Sequence, residues 1–423
     1  MRFANHKTLL MTRVWAIPFC ILLTGCLAKK ETSSDLKTGI WRATVEIQGR
    51  ELPFNFEVEK TDADAIHIQL INADERILLD EVTIKGDSID IALHIFDANI
   101  KAVIKGDTLE GLFIKNFAKD YRLPFQAVHG QSHRFAEGTN QLEVPDFSGK
   151  YEVIFIHESD TTPAVGIFNQ TGDSVTGSFL TPTGDYRYLQ GNVANGTLQL
   201  STFDGNYLYL FTATKQLDGT LTGKYYSGMT WMESWIAHKN DNPSLPDAEK
   251  LTYLKEGYER ITFTFPDVEG NNVSLDDEKY KNKVVILQLF GTWCPNCMDE
   301  TQFLAPWYEE NKDRGIEIIG LAYERKADFT YASNRVKKMI DKLKVSYDFV
   351  IAGTDDKAKA SETLPMLNQV VAFPTTIFIG KDGKVKKIHT GFAGPGTGDY
   401  YEQFKENFNQ TINELLAENA MLN

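Results

Sequence analysis

Cysteine is scarce in this chain of 423 residues, and the scarcity limits what can hold the fold together. The sequence contains only Cys20, Cys26, Cys294 and Cys297. The first two lie near the N-terminus, so the second two are the only pair that could form an intramolecular disulfide in the body of the chain. Because a disulfide that closes so short a loop adds little stability, this pair is better suited to chemistry than to structure.

Positive charge is also in short supply. Lysine and arginine number 44 against 58 aspartates and glutamates, which gives a formal net charge of -14. Nucleic-acid binding depends on a basic surface that neutralises phosphates, so we do not expect this chain to bind nucleic acid. The acidity favours solubility, and a chain of this length should contain more than one domain.

Apolar runs long enough to span a membrane are missing. The apolar run over residues 14–23 follows Arg2, Lys7 and Arg13, with no acidic residue before it. Such a run is too short to cross a bilayer as a mature helix, whereas a basic segment followed by a short apolar one is typical of a signal peptide. We therefore expect residues 1–25 to be removed, which would change the net charge from -14 to -17.

The end of this segment, Leu23-Thr24-Gly25-Cys26, resembles the lipobox of bacterial lipoproteins. The resemblance implies that cleavage makes Cys26 the first residue and that Cys26 carries a lipid. Residues 26–38 would then tether a folded body to a membrane on the periplasmic side of the cell envelope, at the inner or the outer membrane. The alternative is an ordinary secretory peptide that is cleaved nearby.

The other two cysteines lie in the motif WCPNC at 293–297, after the apolar run 284–290 and before a segment with helical spacing. A cysteine pair separated by two residues, placed where a buried strand passes into a helix, suits a reversible dithiol/disulfide switch. Half of a zinc site has the same spacing, but the chain has no second CxxC motif and no Cys/His pair to complete four ligands. We therefore interpret the protein as a redox protein with no metal.

The start of the predicted helix explains how the switch could work. Cys294 occupies the N-cap position, and Pro295 suits the first helical position because its missing N–H would have no partner there. The N–H groups of Asn296 and Cys297 point back to the Cys294 sulfur and, with the helix dipole, favour its thiolate. We therefore expect Cys294 to be the attacking and more exposed sulfur, and Cys297 to resolve the mixed disulfide.

From about position 258 onwards the sequence resembles the membrane-tethered, thioredoxin-like thiol-disulfide oxidoreductases of the TlpA and ResA type. The similarity rests on WCPNC, on Glu300 three residues after the second cysteine, on the segment FPTT at 373–376 before a strand, and on the turn KDGK at 381–384. It implies a thioredoxin-like α/β domain over 258–423, in which the two cysteines form the redox-active disulfide.

The resemblance also implies a substrate-binding surface. Pro374 matches the cis-proline that packs against the cysteines in this family and leaves the carbonyl and N–H of the preceding residue free to pair with a substrate strand. That residue is Phe373, which is bulkier than the small or β-branched residue usual in the family. Together with Trp293, these two residues form the predicted substrate-binding surface.

Position 288 departs from the pattern of thioredoxins, which have a buried aspartate there as a proton acceptor. Gln288 cannot ionise, so we assign that catalytic role to Glu300, which lies one helical turn beyond Cys297. A carboxylate near the cysteines would also oppose thiolate formation and make the dithiol a better reductant. The alternative is that Glu300 is a solvated carboxylate on the helix surface.

The region between the tether and this domain has alternating apolar and polar residues, separated by Gly-Asp and Asn-Gly turns, and this pattern predicts β-structure. The sequence FDAN at 96–99 is echoed by FDGN at 203–206, and similar turns flank both. The offset of about 110 residues indicates two similar units, over 39–134 and 147–239. Each should be an antiparallel all-β barrel or sandwich of about six to eight strands, which serves as a spacer or docks a partner.

Two further expectations concern this region. Aromatic residues cluster in the second unit, among them Tyr209, Tyr225, Trp231 and Trp235, and alternate positions in strands favour core packing over a ligand platform. Residues 240–257 should be a linker, with a short helix from Ala248 to Tyr258.

Three classes of function use residues of this kind: thiol-disulfide exchange, peroxide reduction and copper delivery. A disulfide reductase would pass electrons from a membrane thiol-disulfide donor to the disulfide of an exported protein, such as an apocytochrome c, and would need no cofactor. An oxidase or isomerase would use the same two residues, Cys294 and Cys297. A peroxidase of the peroxiredoxin type needs Pro-x-x-x-Thr-x-x-Cys, and this chain has Leu287 and Gly291 in place of the proline and threonine. A copper-delivery protein would add a histidine such as His389, but its cysteines are spaced by three residues.

Overall fold

The computed structural model describes residues 35–61, 65–135 and 144–418. The predicted signal peptide, Cys26 and most of the tether therefore lie outside the described residues. The described residues belong to one compact unit, in which two β-rich regions precede an α/β domain.

The first β-rich region forms one antiparallel sheet of nine strands. Its strands are β1 (Gly39–Ile47), β2 (Arg50–Lys60), β3 (Ile66–Asn72), β4 (Glu75–Leu79), β5 (Val82–Lys85), β6 (Ser88–Ala92), β7 (Ala98–Lys105), β8 (Thr108–Lys115) and β9 (Arg122–His129). Alternation explains which side faces the core, since Ile100, Ala102 and Ile104 of β7 are buried while Lys101 and Lys105 are exposed. The order β4-β3-β2-β1-β9-β8-β7-β6-β5 leaves β4 and β5 as the edges of a nearly closed sheet.

The second β-rich region also has nine antiparallel strands. They are β10 (Gly149–His157), β11 (Asp160–Thr171), β12 (Ser174–Thr181), β13 (Gly184–Asp185), β14 (Leu189–Ala194), β15 (Thr197–Phe203), β16 (Leu208–Lys215), β17 (Leu221–Ser227) and β18 (Trp231–Lys239). The order is β11-β10-β18-β17-β16-β15-β14-β12-β13, and β11 also pairs with β12, which closes this sheet into a ring. Each region thus has nine strands rather than six to eight, because short strands such as β13 carry too few residues to show an alternating pattern.

Aromatic side chains fill the second sheet. Tyr209, Tyr225 and Trp235 belong to its buried core, so the prediction that they serve packing is confirmed. Trp231 is 46% exposed on the outer surface and is the exception among those named above.

The sequence echo falls on equivalent places in the two sheets. FDAN at 96–99 lies where β6 passes into β7, and FDGN at 203–206 lies where β15 passes into β16. In both sheets the flanking strands follow one another as antiparallel hairpin neighbours. The prediction of two all-β repeat units is therefore confirmed.

The C-terminal domain is a five-stranded sheet with helices, preceded by a small hairpin. Its elements are β19 (Thr264–Pro266), β20 (Asn272–Ser274), β21 (Val284–Phe290), α1 (Pro295–Asn311), β22 (Ile316–Glu324), α2 (Phe329–Leu343), β23 (Asp348–Thr354), α3 (Lys357–Thr363), β24 (Thr375–Ile379), β25 (Val385–Thr390) and α4 (Asp399–Ala417). The strand order is β23-β22-β21-β24-β25. Strands β21, β22 and β23 are parallel to one another, β24 pairs antiparallel with β21, and β25 pairs antiparallel with β24. This is the predicted thioredoxin-like arrangement. No helix within the described ranges is both long and apolar enough to span a membrane.

One local prediction in the linker needs correction. The helix expected from Ala248 to Tyr258 is only a single 3-10 turn, Ala248–Lys250, because the chain then forms turns and Leu254 makes an isolated β-bridge with Leu367. In the C-terminal domain, α1 continues through Pro306 to Asn311.

The β-rich regions pack directly on each other and on the C-terminal domain. The ring of Phe203 in the second sheet lies 4.2 Å from that of Phe54 and 5.4 Å from that of Phe113, inside the core of the first sheet. Ile95 and Phe96 of the first region are buried in the core of the C-terminal domain. These contacts hold the β-rich regions against the C-terminal domain, and the role of the two units as a spacer or a partner-docking module stays a prediction.

Candidate active site

Strand β21 and helix α1 place the cysteine pair. All seven residues of β21 are buried, and the chain leaves the strand to begin α1 at Pro295. Cys294 is the N-cap, and its sulfur accepts a hydrogen bond from the N–H of Cys297 at 3.2 Å, as predicted. The two cysteines form a disulfide with a Cα–Cα distance of 5.2 Å. The pair thus sits at the positive end of a helix, where a released thiolate is stabilised.

Both sulfurs are shielded from solvent. Cys294 and Cys297 are each 1% exposed, so the prediction that Cys294 is the exposed member of the pair is wrong. The physical reason is that the second sheet lies over the motif. The side-chain amide of Asn296 donates to the carbonyl of Asp185 at 3.0 Å, and the hydroxyl of Tyr207 donates to Asn296 Oδ1 at 3.2 Å.

Trp293, predicted to bind substrate, is held on three sides. Its indole N–H donates to the carbonyl of Tyr323 at 2.8 Å, and the guanidinium of Arg325 lies 4.2 Å from the ring centroid. Its own carbonyl accepts a hydrogen bond from the side-chain amide of Asn206 at 2.7 Å. The groups that Trp293 could offer to a substrate are therefore already engaged within the chain.

The peptide bond between Phe373 and Pro374 is cis, as the resemblance implies. The Phe373 carbonyl oxygen lies 3.5 Å from the sulfur of Cys294. Since a disulfide sulfur carries no hydrogen, this is a contact that brings a backbone acceptor to the reacting atom. The Phe373 ring packs against Trp293 at 5.8 Å and Tyr323 at 5.2 Å, which explains how a bulky side chain fits here.

Glu300 is buried behind the cysteines. It is 1% exposed, so the interpretation as a solvated carboxylate is wrong. Its carboxylate accepts hydrogen bonds from Gln288 Nε2 at 2.8 Å and from Thr376 Oγ1 at 2.5 Å. Burial raises the pKa of Glu300 to about 7, although these two hydrogen bonds lower it. A carboxyl with that pKa can accept and release a proton near neutral pH, so the role of proton acceptor stays a prediction that the geometry allows.

The pKa of Glu300 leads to a test of its environment. The pKa rises from an ordinary 4.5 to about 7, so the folded protein keeps a proton that the unfolded chain releases between these pH values. The stability that this proton provides is fully present below pH 4.5 and is lost as pH rises through 7. We expect the free energy of unfolding of the oxidised protein to fall by about 3 kcal/mol through this group, and Glu300→Gln to remove that part of the pH dependence. Denaturant unfolding at a series of pH values measures both.

A matched control isolates this contribution. Glu310→Gln makes the same change on the exposed side of α1. Other buried titratable groups act equally in all three proteins, so only the difference between parent and variant is interpreted. If Glu300→Gln and Glu310→Gln both follow the parent curve, Glu300 does not titrate in this window.

A buried ion cluster lies beside the active-site helix and was missed by the sequence reasoning. Arg187 donates to both carboxylate oxygens of Asp299 at 2.7 Å, to Asp204 at 2.8 Å and to Glu75 at 2.5 Å. The Arg187 side chain is 0% exposed. Asp299 is two residues after Cys297, so the cluster joins the first sheet, the second sheet and α1 next to the disulfide.

Burial governs the charges of this cluster. Burial raises the pKa of Glu75 to about 7, although Arg187 lowers it. Burial also raises the pKa of Asp299 in spite of the same guanidinium. Burial opposes the charge of Arg187, but its carboxylate partners outweigh that effect and keep its pKa above the ordinary value. No sequence signal predicts the cluster, because its members lie far apart in the chain and each is an ordinary charged residue.

The histidine considered for copper delivery lies elsewhere in the domain. His389 is in β25, where its ring packs against Phe404 at 5.6 Å. Burial lowers its pKa to about 4. Within the part of the chain that the structure describes, no group of three or more histidine, cysteine, aspartate or glutamate side chains could hold a metal ion.

A cysteine pair at a helix start beside a cis-proline, on a sheet of this order, defines a thioredoxin-like thiol-disulfide oxidoreductase. Comparison with known proteins agrees. The Redoxin family matches residues 245–403. Thiol-disulfide oxidoreductase ResA of Halalkalibacterium halodurans is 30% identical over 157 residues, which are 36% of this chain and 76% of the relative. ResA of Bacillus thuringiensis subsp. konkukian is 32% identical over 132 residues, 31% of this chain and 68% of that protein.

The chain belongs to the ResA-type thiol-disulfide oxidoreductases. Among solved structures, the thioredoxin domain of a thiol-disulfide oxidoreductase from Bacteroides vulgatus is 28% identical, with a TM-score of 0.27 over 36% of this chain and 99% of that chain. The Redoxin match leaves both β-rich sheets outside it.

Proposed function

We propose that this protein is a disulfide reductase for exported proteins. The observation that carries the direction is the buried Glu300, one helical turn beyond Cys297 and hydrogen-bonded to Thr376, two residues after the cis-proline. A carboxylate in this pocket disfavours the thiolate form of the cysteines and so destabilises the reduced pair. A dithiol that is less stable than its disulfide gives its electrons away more readily.

The reaction needs only thiols and disulfides. The Cys294 thiolate attacks one sulfur of a target cystine, forms a mixed disulfide and releases the other target sulfur as a thiolate, which takes up a proton. Cys297 gives its proton to Glu300 and attacks the Cys294 sulfur, which breaks the mixed disulfide. The second target sulfur leaves as a thiolate and takes up the proton that Glu300 then releases. Two electrons and two protons have then passed to the target, and a membrane dithiol donor returns them by the reverse exchange.

The midpoint potential of the Cys294–Cys297 pair tests the direction. A value near roughly -270 mV, that of thioredoxin, supports a reductase, whereas a value near roughly -120 mV would make the protein an oxidant and contradict the proposal. Equilibration with glutathione or dithiothreitol buffers, followed by thiol trapping, measures it. Insulin reduction followed by turbidity gives the activity, and peroxide consumption run in parallel separates it from a peroxidase.

We also propose a lipid anchor on Cys26 and a location on the periplasmic side of the cell envelope, at the inner or the outer membrane. The lipobox-like residues 23–26 after a short apolar run support this. Such a site fits substrates among exported proteins, such as the haem-binding cysteines of an apocytochrome c, and a membrane-bound electron donor. Labelling of cells with palmitate should mark the parent protein and not Cys26→Ser; equal labelling of both would contradict the anchor.

A further inference from the structure

Two segments of the second sheet lie over the cysteine pair, and we call them the active-site cover: residues 183–187, which contain the short strand β13, and the loop 204–207. The first precedes β14 and the second precedes β16. In the first segment, the carbonyl of Asp185 accepts a hydrogen bond from the side-chain amide of Asn296. In the second, the side-chain amide of Asn206 donates a hydrogen bond to the carbonyl of Trp293. The cover thus contacts the residues on both sides of Cys294.

The cover also contacts the other wall of the site. The N–H of Gly394 donates to Asp185 Oδ2 at 2.5 Å. Backbones approach closely as well: a Cβ added to Gly396 would lie 2.7 Å from the carbonyl oxygen of Arg187, and one added to Gly391 would lie 2.8 Å from the carbonyl carbon of Thr183. The cover therefore bridges the helix start and the segment 391–396, with the disulfide beneath it.

This arrangement is incompatible with exchange on a protein substrate. An incoming sulfur must reach Cys294 along the line of the bond that it breaks, and a bulky partner needs space around that sulfur. Cys294 is 1% exposed, and the Trp293 carbonyl is already occupied. The described conformation is thus closed for both halves of the reaction, reduction of the pair and transfer to a target.

The contacts of the cover are of a kind that a polypeptide can replace. The side chain of Asn296 hydrogen-bonds to a backbone carbonyl, the carbonyl of Trp293 to a side-chain amide, and the N–H of Gly394 to a carboxylate. These are polar contacts, which water or a peptide can satisfy after separation. By contrast, Phe203 joins the second sheet to the first through aromatic packing. Arg187 and Asp204, at the ends of the two segments, belong to the buried ion cluster in which Arg187 pairs with Asp299 of α1, so they stay anchored. The contacts suited to opening are the hydrogen bonds of Asp185, Asn206 and Tyr207.

We propose that the cover is an autoinhibitory contact that occupies the substrate-docking face, and that an extended polypeptide segment beside a target cystine displaces it. The inference rests on the proposed exchange reaction at Cys294. In the resting disulfide form the chain's own loops fill the site. A protein substrate binds by taking over the hydrogen bonds of Trp293, Asn296 and Gly394, so that only a partner able to make these bonds gains access.

A double variant tests whether the cover restricts access. Asn206→Ala with Tyr207→Phe removes the side-chain hydrogen bonds to Trp293 and Asn296 and leaves the rings packed. Each neutral hydrogen bond favours the closed cover over the open one by a factor of roughly three to ten. We therefore expect both insulin reduction and alkylation of reduced Cys294 by iodoacetamide to become about tenfold faster or more in this variant. Rates equal to those of the parent would overturn the proposal.

Matched controls and a second measurement separate this from other effects. The double variant Asn169→Ala with Tyr253→Phe makes the same changes at two exposed positions outside the cover and should leave both rates unchanged. If no protein reduces insulin, the proposed function fails, while the alkylation rates still decide whether the cover shields Cys294.

Hydrogen exchange gives an independent measurement. In Cys297→Ser protein joined to a cystine peptide through Cys294, amide protection should fall at residues 183–186 and 205–207 and stay unchanged in the buried strand β21. Full protection of both segments in the mixed disulfide would show that the cover does not move, and the proposal would then be wrong.

Discussion

Cys294→Ser protein should reduce insulin no faster than the assay does without protein, and Cys297→Ser protein should accumulate a mixed disulfide with its substrate. The sulfur of Cys294 is the one at the N-cap, where it accepts from the Cys297 N–H, and it lies 3.5 Å from the Phe373 carbonyl. A serine hydroxyl does not ionise near neutral pH and forms no disulfide, so the first step cannot occur. Without Cys297, the first step proceeds and the second cannot.

The pair of variants makes this prediction specific to the order of attack. Lipid-free protein that carries Cys26→Ser has no other mature thiol, so any mixed disulfide must form at the remaining active-site cysteine. Gel mobility without reductant detects the complex. The opposite pattern, in which Cys294→Ser traps the substrate, would assign the attack to Cys297. Insulin reduction by Cys294→Ser at the parent rate would remove the pair from the reaction altogether.

Local sequence predicts the centre of the site well. Cys294 at the N-cap and Pro295 in the first turn depend on neighbours in the chain, whereas the cis bond before Pro374 is what the family resemblance implies, and all three are present in the structure. Burial of Glu300 depends on Gln288 in β21 and Thr376 in β24 converging behind the helix. That convergence is a property of the folded sheet. The sequence alone therefore did not distinguish a Glu300 buried near the cysteines from a solvated Glu300 on the helix surface.

The environment above the cysteines could not be predicted. The expectation of an exposed Cys294 follows from the helix start taken alone. The loops that bury it begin about a hundred residues earlier, a separation typical of contacts between domains rather than within one. FDGN at 203–206 was recognised as a repeated turn, and nothing in its composition indicates that Asn206 contacts Trp293. Contacts between domains depend on how their surfaces fit, which no local pattern encodes.

Arg187→Met should lower the free energy of unfolding by about 3–5 kcal/mol, the effect of removing one partner from a buried ion cluster. The variant keeps an unbranched apolar stem but leaves the carboxylates of Glu75, Asp204 and Asp299 without their shared cation. Arg122→Met, on the exposed side of β9, makes the same change at the surface and should stay within about 0.5 kcal/mol of the parent. Urea unfolding followed by tryptophan fluorescence measures both.

The pH dependence of this loss distinguishes a charge effect from a packing effect. Arg187 lowers the pKa values of Glu75 and Asp299, so without the guanidinium both pKa values rise further and the folded variant takes up protons that the parent does not need. The destabilisation should therefore be smaller at pH 5 than at pH 8, and a pH-independent loss would point to packing alone.

Because Glu75, Arg187 and Asp299 belong to the first sheet, the second sheet and α1, the variant should also split one unfolding transition into two. A single, shifted transition would mean that aromatic packing, rather than this cluster, makes the β-rich regions and the redox domain unfold together.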